Sequence, residues 1–163
     1  MSPIMSRARS STGAGTIAIL ILVLAFGNQA YAEWADKHAT GATVWQLLLR
    51  TLSWPRWFFS SAVQSSRSIL VFDLRALLLV VFVAGILGMG AASVSGGFGG
   101  FVLGWFAVIL GGGLAGLLTA FLTSEPSFYA ALGDALQAAG YGLIVGWIVG
   151  IFVSSRHRRT VVA

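Results

Sequence analysis

Four apolar runs, rather than a steady alternation of apolar and polar positions, set the pattern of this chain. The first, Thr16–Phe26, reads TIAILILVLAF; the later ones are Ala76–Ala92, Phe98–Leu122 and Phe128–Val153. Crossing a bilayer takes about 20 predominantly apolar residues in helical form. The last two runs reach that length outright, and Ala76–Ala92 reaches it if its helix begins near Ile69–Phe72. The connections Ser93-Val94-Ser95-Gly96-Gly97 and Thr123-Ser124-Glu125-Pro126-Ser127 are short, and Pro126 suits the first turn of a restarted helix. Short connections between helices make antiparallel neighbours. The expected fold is an all-α membrane protein. It comprises a helical bundle of three Gly-rich transmembrane spans after a signal peptide, or four spans if that segment is uncleaved, plus an amphipathic interfacial helical segment.

The first run differs from the rest. Arg7 and Arg9 precede it, no acid occurs before Glu33, and Gly27-Asn28-Gln29 leads into Ala30-Tyr31-Ala32. A charged start, a short apolar core and an A-x-A site in that order are the marks of a secretory signal. Cleavage is expected between Ala32 and Glu33, the alternative being an uncleaved anchor over Thr16–Ala32. Either way the chain after Ala32 is carried out of the cytoplasm. Residues 1–32 then form a signal peptide or signal anchor, and 33–68 an extracytoplasmic Trp/Arg-rich segment. Residues 69–153 form the bundle and 154–163 a basic cytoplasmic tail.

The segment 33–68 holds Trp34, Trp45, Trp54 and Trp57, four of the six tryptophans. Val44, Trp45, Leu48, Leu49 and Leu52 fall at helical spacing, with Gln46, Arg50 and Ser53 on other faces. Pro55 breaks this helix, and Ser53 is expected to cap a second one. In that second helix Arg56, Ser60, Gln64 and Arg67 would lie opposite Trp57, Phe58 and Val63. Trp45, Trp54 and Trp57 with Arg50 and Arg56 are candidate interface anchors, the indoles at headgroup level and the arginines on anionic lipid. The alternative is a helical pair packed on the chain's own spans or on a partner subunit.

Composition narrows the class. Of 163 residues, 57% are hydrophobic and 9% charged, against about 25% charged in soluble domains, and the mean hydropathy is +0.88. A water-soluble domain is excluded. The net charge of +5 sits beside apolar runs, where arginine sets topology or meets anionic lipid, and no nucleic-acid partner is expected. With no cysteine there is neither a disulfide framework nor a thiolate metal site. Counting Lys and Arg does not orient the chain: Arg7, Arg9, Arg156, Arg158 and Arg159 on one side balance Lys37, Arg50, Arg56, Arg67 and Arg75 on the other. The order of the signal and the tail Arg156-His157-Arg158-Arg159 agree on a cytoplasmic C-terminus, in a bacterial plasma (inner) membrane.

Glycine is the strongest internal pattern, with 21 residues. Ala84, Gly88, Ala92, Gly96, Gly100 and Gly104 recur every four residues, and the series resumes at Gly112, Gly116 and Ala120 and again at Ala138, Gly142, Gly146 and Gly150. Residues four apart share a helix face, so these positions make smooth grooves where another backbone approaches closely. Two uses are open: joining this chain's own spans, or docking on itself or on another membrane protein. Gly111-Gly112-Gly113 lies at membrane depth without a preceding strand and is not a phosphate loop.

Candidate chemistry is sparse. His38 and His157 fall on opposite sides, no His/Asp/Glu cluster has metal-ligand spacing, and the serines a hydrolase triad would need cluster in loops and polar stripes. No catalysis, metal or cofactor is expected. Asp134, beside Gln137, is the one acid within a span, a candidate for an ion path or an interhelical ion pair; the alternative is a hydrated site at the outer interface. Asp73 with Arg75 reads as a headgroup-level pair. The function expected is a non-catalytic accessory or assembly subunit of a bacterial membrane complex. The alternative is a self-associating pore or transport component, holin-like or pilin-like, although Phe98–Leu122 offers only Thr119 as polar lining.

Overall fold

A computed structural model describes residues 3–58, 66–122 and 127–158, with side chains placed over 11–58, 66–122 and 127–155. Six helices follow one another: α1 Pro3–Phe26, α2 Gln29–His38, α3 Val44–Leu52, α4 Ser66–Gly90, α5 Gly96–Ala120 and α6 Phe128–Arg158. Three of them are long and apolar enough to cross a membrane, over Ser66–Gly90, Gly96–Ala120 and Phe128–Ser155. A fourth crossing is formed if Ser11–Phe26 and Gln29–His38, bent by 59° at their junction, act as one broken span. In hydrocarbon each backbone amide must be paired within its own segment, which these helices achieve.

Asn28 makes the bend between α1 and α2. Its side-chain amide donates to the carbonyls of Leu24 (3.2 Å) and Ala25 (2.7 Å), while its oxygen accepts from the Tyr31 N–H at 2.9 Å. One residue thus closes the end of α1 and caps the start of α2. The Ala30-Tyr31-Ala32 stretch lies inside α2, with Ala32 buried.

The long helices form an antiparallel circuit, each buried stripe recurring every three or four residues. On α4 the stripe is Ala76, Leu79, Val83 and Leu87; on α6 it is Ala138, Tyr141, Val145, Val149 and Val153. Helix α1 contributes Ala18, Ile19, Leu22 and Val23 to the same core. A Cβ on Gly15 would collide with Leu87 and Val153, and the Thr12 hydroxyl donates to the Leu87 carbonyl at 3.3 Å. The N-terminal half of α1 therefore lies beside the C-terminal halves of both α4 and α6.

The two glycine series face each other across α5 and α6. A Cβ on Gly104 would stand 2.7 Å from Gly150 Cα, one on Gly112 2.8 Å from the Ala138 carbonyl oxygen, and one on Gly116 2.7 Å from that of Asp134. In return, Gly142 abuts the Ile109 backbone, Gly146 the Trp105 backbone and Gly150 that of Phe101. Gly100 is buried on the same face of α5. Gly88 and Gly96 depart from the series. Space beside both is open, and Gly96 instead adopts φ +79°, the left-handed turn that starts α5.

Helix α3 forms as expected, with a further device at its start: the Thr43 hydroxyl caps the Gln46 N–H while the Gln46 side chain receives the Thr43 N–H. Its apolar face is divided. Leu49 is buried against Ala35 and Ala39, whereas Val44, Trp45 and Leu47 point outward. The expected second helix does not begin at Ser53. Ser53 ends α3 with its N–H on the Leu49 carbonyl, and residues 54–58 are non-helical. Pro55 has no N–H to give, and the Trp57 N–H and Nε1–H go instead to Gly27 (2.9 Å) and Val23 (3.1 Å) of α1. The Ser60, Val63 and Gln64 positions of that stripe lie outside the described residues, and Arg67 belongs to α4.

Candidate functional site: a polar centre among three spans

Arg75 is the residue around which the polar groups of the bundle gather. Helix α4 already runs from Ser66, ten residues before the apolar run Ala76–Ala92, so Arg75 sits well inside the helix and on its buried stripe. Its Nε–H donates to Thr119 Oγ1 on α5 and its Nη2–H to Asp134 Oδ2 on α6, both at 3.2 Å. The guanidinium carbon lies 5.3 Å from the Trp54 ring centroid and 5.6 Å from that of Phe72, within cation–π range. Thr119 in turn donates to the Ala115 carbonyl at 2.8 Å. One cation thus ties three spans to one another and to the loop after α3.

With the midpoint of α5 taken as the middle of the bilayer, the helix register sets the depth of this centre. Gly116 abuts the Asp134 backbone and lies eight residues beyond Val108, the midpoint of α5. At about 1.5 Å per residue that is roughly 12 Å, just inside a hydrocarbon half-thickness of about 15 Å. At such a depth an ion pair needs its partner and its hydrogen bonds, and Arg75 has both. Its side chain is 10% exposed and that of Asp134 is 34% exposed. The base is enclosed, and the acid is at the rim.

This corrects the pairing of Asp73 with Arg75. Two residues apart on a helix, they point to different faces; Asp73 Oδ1 accepts the Phe58 N–H at 3.0 Å while Arg75 turns inward. Asp134 has the interhelical partner its sequence neighbours do not reveal. Trp54 also departs from the role of an interface anchor. It is buried in the bundle, its ring 5.7 Å from Tyr141, because the break at Pro55 folds the chain back over the end of α1. Trp57 is half-buried against α1, and Arg56 forms a two-pronged pair with Asp36 at 2.7 and 3.0 Å. Trp45 and Arg50 remain exposed on α3. Among the described residues, Trp54 Nε1 and Tyr141 OH are buried without a hydrogen-bond partner.

Among the described residues no three His, Asp or Glu side chains converge as a metal site would require. His38 stacks on Trp34 at 4.7 Å and its Nδ1 lies 2.8 Å from the Trp34 carbonyl oxygen. The sequence matches no protein-family model, and neither a curated protein nor a solved structure is significantly similar to it.

Proposed function

We propose that this chain is a non-catalytic multi-pass protein of a bacterial inner membrane, an accessory or assembly subunit that holds a fixed shape in the bilayer. The observation that carries this reading is that the bundle uses its own special residues on itself. The glycines of α5 and α6 are mated to each other, and Arg75, Asp134 and Thr119 bind one another near one end of the spans. Among the described residues Leu79, Val83, Leu87, Val108, Val145 and Val149 pack in one apolar core, with the buried polar side chains Ser11, Ser53, Arg75 and Thr119 outside that cluster.

The first segment acts, on this reading, as a signal anchor that stays. Supporting it are the burial of Ile19 and Val23, the close seat of Gly15, and the α2 helix over Ala30–Ala32, since peptidases take their substrates extended. Both termini face the cytoplasm. In the sequence Arg7 and Arg9 precede the first apolar run and Arg156 and Arg158 follow the last, with no acid near them. At the opposite end Arg56 and Arg75 are neutralised by Asp36 and Asp134.

The deciding experiment is purification of the tagged chain in mild detergent, with native and intact masses read together. Co-purification with a larger membrane complex and an N-terminus upstream of Glu33 are the expected results. Ion or solute flux through proteoliposomes that Asp134→Asn abolishes would overturn the accessory reading in favour of a pore, and a mass beginning at Glu33 would overturn the retained anchor.

A further inference from the structure

Helices α1 and α4 do not close on each other along the C-terminal half of α1. Between them runs a crevice of about 320 Å³, walled by Leu20, Val23 and Leu24 on one side and Ala76, Leu77 and Val80 on the other. Leu20, Leu24 and Leu77 are exposed along it. Trp57, Phe58 and Asp73 complete the lining, and they gather at one end. Asp73 is a turn nearer the start of α4 than Ala76 and Leu77, and its Oδ1 accepts the Phe58 N–H at 3.0 Å. Trp57 is hung there by its bonds to the Val23 and Gly27 carbonyls near the end of α1.

The charge at this end is uncompensated. Asp36 is paired with Arg56 and Asp134 with Arg75, whereas Asp73 has no ion pair among the described residues and holds only the neutral Phe58 N–H. The helix register places Asp73 about 3 Å further from the middle of the spans than Arg75, at the edge of the hydrocarbon. Val80, seven residues on, lies about 10 Å deeper. An acid facing lipid without a cation is unfavourable, and beside it stand the rings of Trp57 and Phe58, which attract cations through their faces. A carboxylate and two aromatics above an apolar channel match a molecule with an ammonium head and a hydrocarbon chain.

We propose that the α1–α4 crevice is a binding site for a bilayer phospholipid whose headgroup ends in a primary ammonium, such as phosphatidylethanolamine. The ammonium meets Asp73, Trp57 and Phe58, and one acyl chain descends between Leu20 and Leu77 toward Val80. An anionic headgroup is disfavoured at the same carboxylate. The inference rests on the retained first helix of the proposed function, because α1 is one wall of the site, and not on the accessory role.

The test uses the full chain purified in mild detergent and stripped of lipid. It is offered phosphatidylethanolamine or phosphatidylglycerol with the same acyl chains, and bound lipid is read by native mass. The ethanolamine lipid should bind about tenfold more tightly. Asp73→Asn keeps an acceptor for the Phe58 N–H and should bring the two lipids to equal affinity. Leu20→Trp and Leu77→Trp, at exposed positions on opposite walls, should weaken binding of both lipids without moving the unfolding midpoint. Leu110→Trp, exposed on α5, should change neither. No retained lipid, equal retention of the two by the parent, a preference that survives Asp73→Asn, or binding indifferent to both wall variants would each overturn the proposal. An intact mass beginning at Glu33 would also overturn it, by removing α1, and is read on the same sample independently of headgroup preference.

Discussion

Removing the carboxylate of Asp134 should harm this protein more than removing the guanidinium of Arg75, although the two form one ion pair. Asp134→Ala leaves an enclosed cation, 10% exposed, with one hydrogen bond to Thr119 and two aromatic faces. Breaking a fully buried pair in this way costs about 3–5 kcal/mol. Two features reduce that figure here: the pair is partly screened at the 34% exposed acid, and the Trp54 and Phe72 rings continue to hold the cation, at about 0.5–2 kcal/mol each. The expected loss is about 2–3 kcal/mol. Arg75→Met keeps most of the side-chain volume and frees an acid already at the rim, where it is hydrated, for a loss of about 1 kcal/mol. The double variant Arg75→Met/Asp134→Ala removes both charges together and should return to within about 1 kcal/mol of the parent.

The cycle is read by titrating the purified protein from mild detergent into sodium dodecyl sulfate while following tryptophan fluorescence, to which Trp54 over Arg75 contributes directly. A coupling of about 2 kcal/mol between the two positions is expected. A loss under about 0.5 kcal/mol for Asp134→Ala, or a double variant as damaged as the sum of the singles, would show that the pair is not the clamp described here.

Other substitutions separate the layers of the fold. Gly142→Ala drives a Cβ into the Ile109 backbone and should cost about 3 kcal/mol or more in the same titration, because backbone cannot yield as a side chain does. Gly88→Ala, in open space, should be neutral or stabilise by about 0.5–1 kcal/mol. Tyr141→Phe deletes a buried hydroxyl without a partner and should hold or raise the unfolding midpoint, in contrast to the usual loss at a fully buried tyrosine. Asp36→Asn should lower stability by less than about 1 kcal/mol and only at low salt, since its pair with Arg56 is half exposed.

What the sequence made legible follows from where each signal originates. Span lengths come from local hydropathy and helical hydrogen bonding, so the apolar runs located α4, α5 and α6 to within a turn or two except at the early start of α4. The glycine spacing located faces, because period is a property of one helix. It did not say which faces meet, and only the opposition of Gly104, Gly112 and Gly116 to Gly150, Ala138 and Asp134 assigns those grooves to the chain's own interior. Polar residues were the least legible. Arg75 looked like a partner for Asp73 because they are close in sequence, yet its partners lie 44 and 59 residues away on other helices. Asp134 lies toward the side where α4 supplies Arg75, itself held by Thr119 of α5. A polar side chain within a span takes its meaning from what stands opposite it, and for Asp134 that is Arg75, 59 residues away on α4.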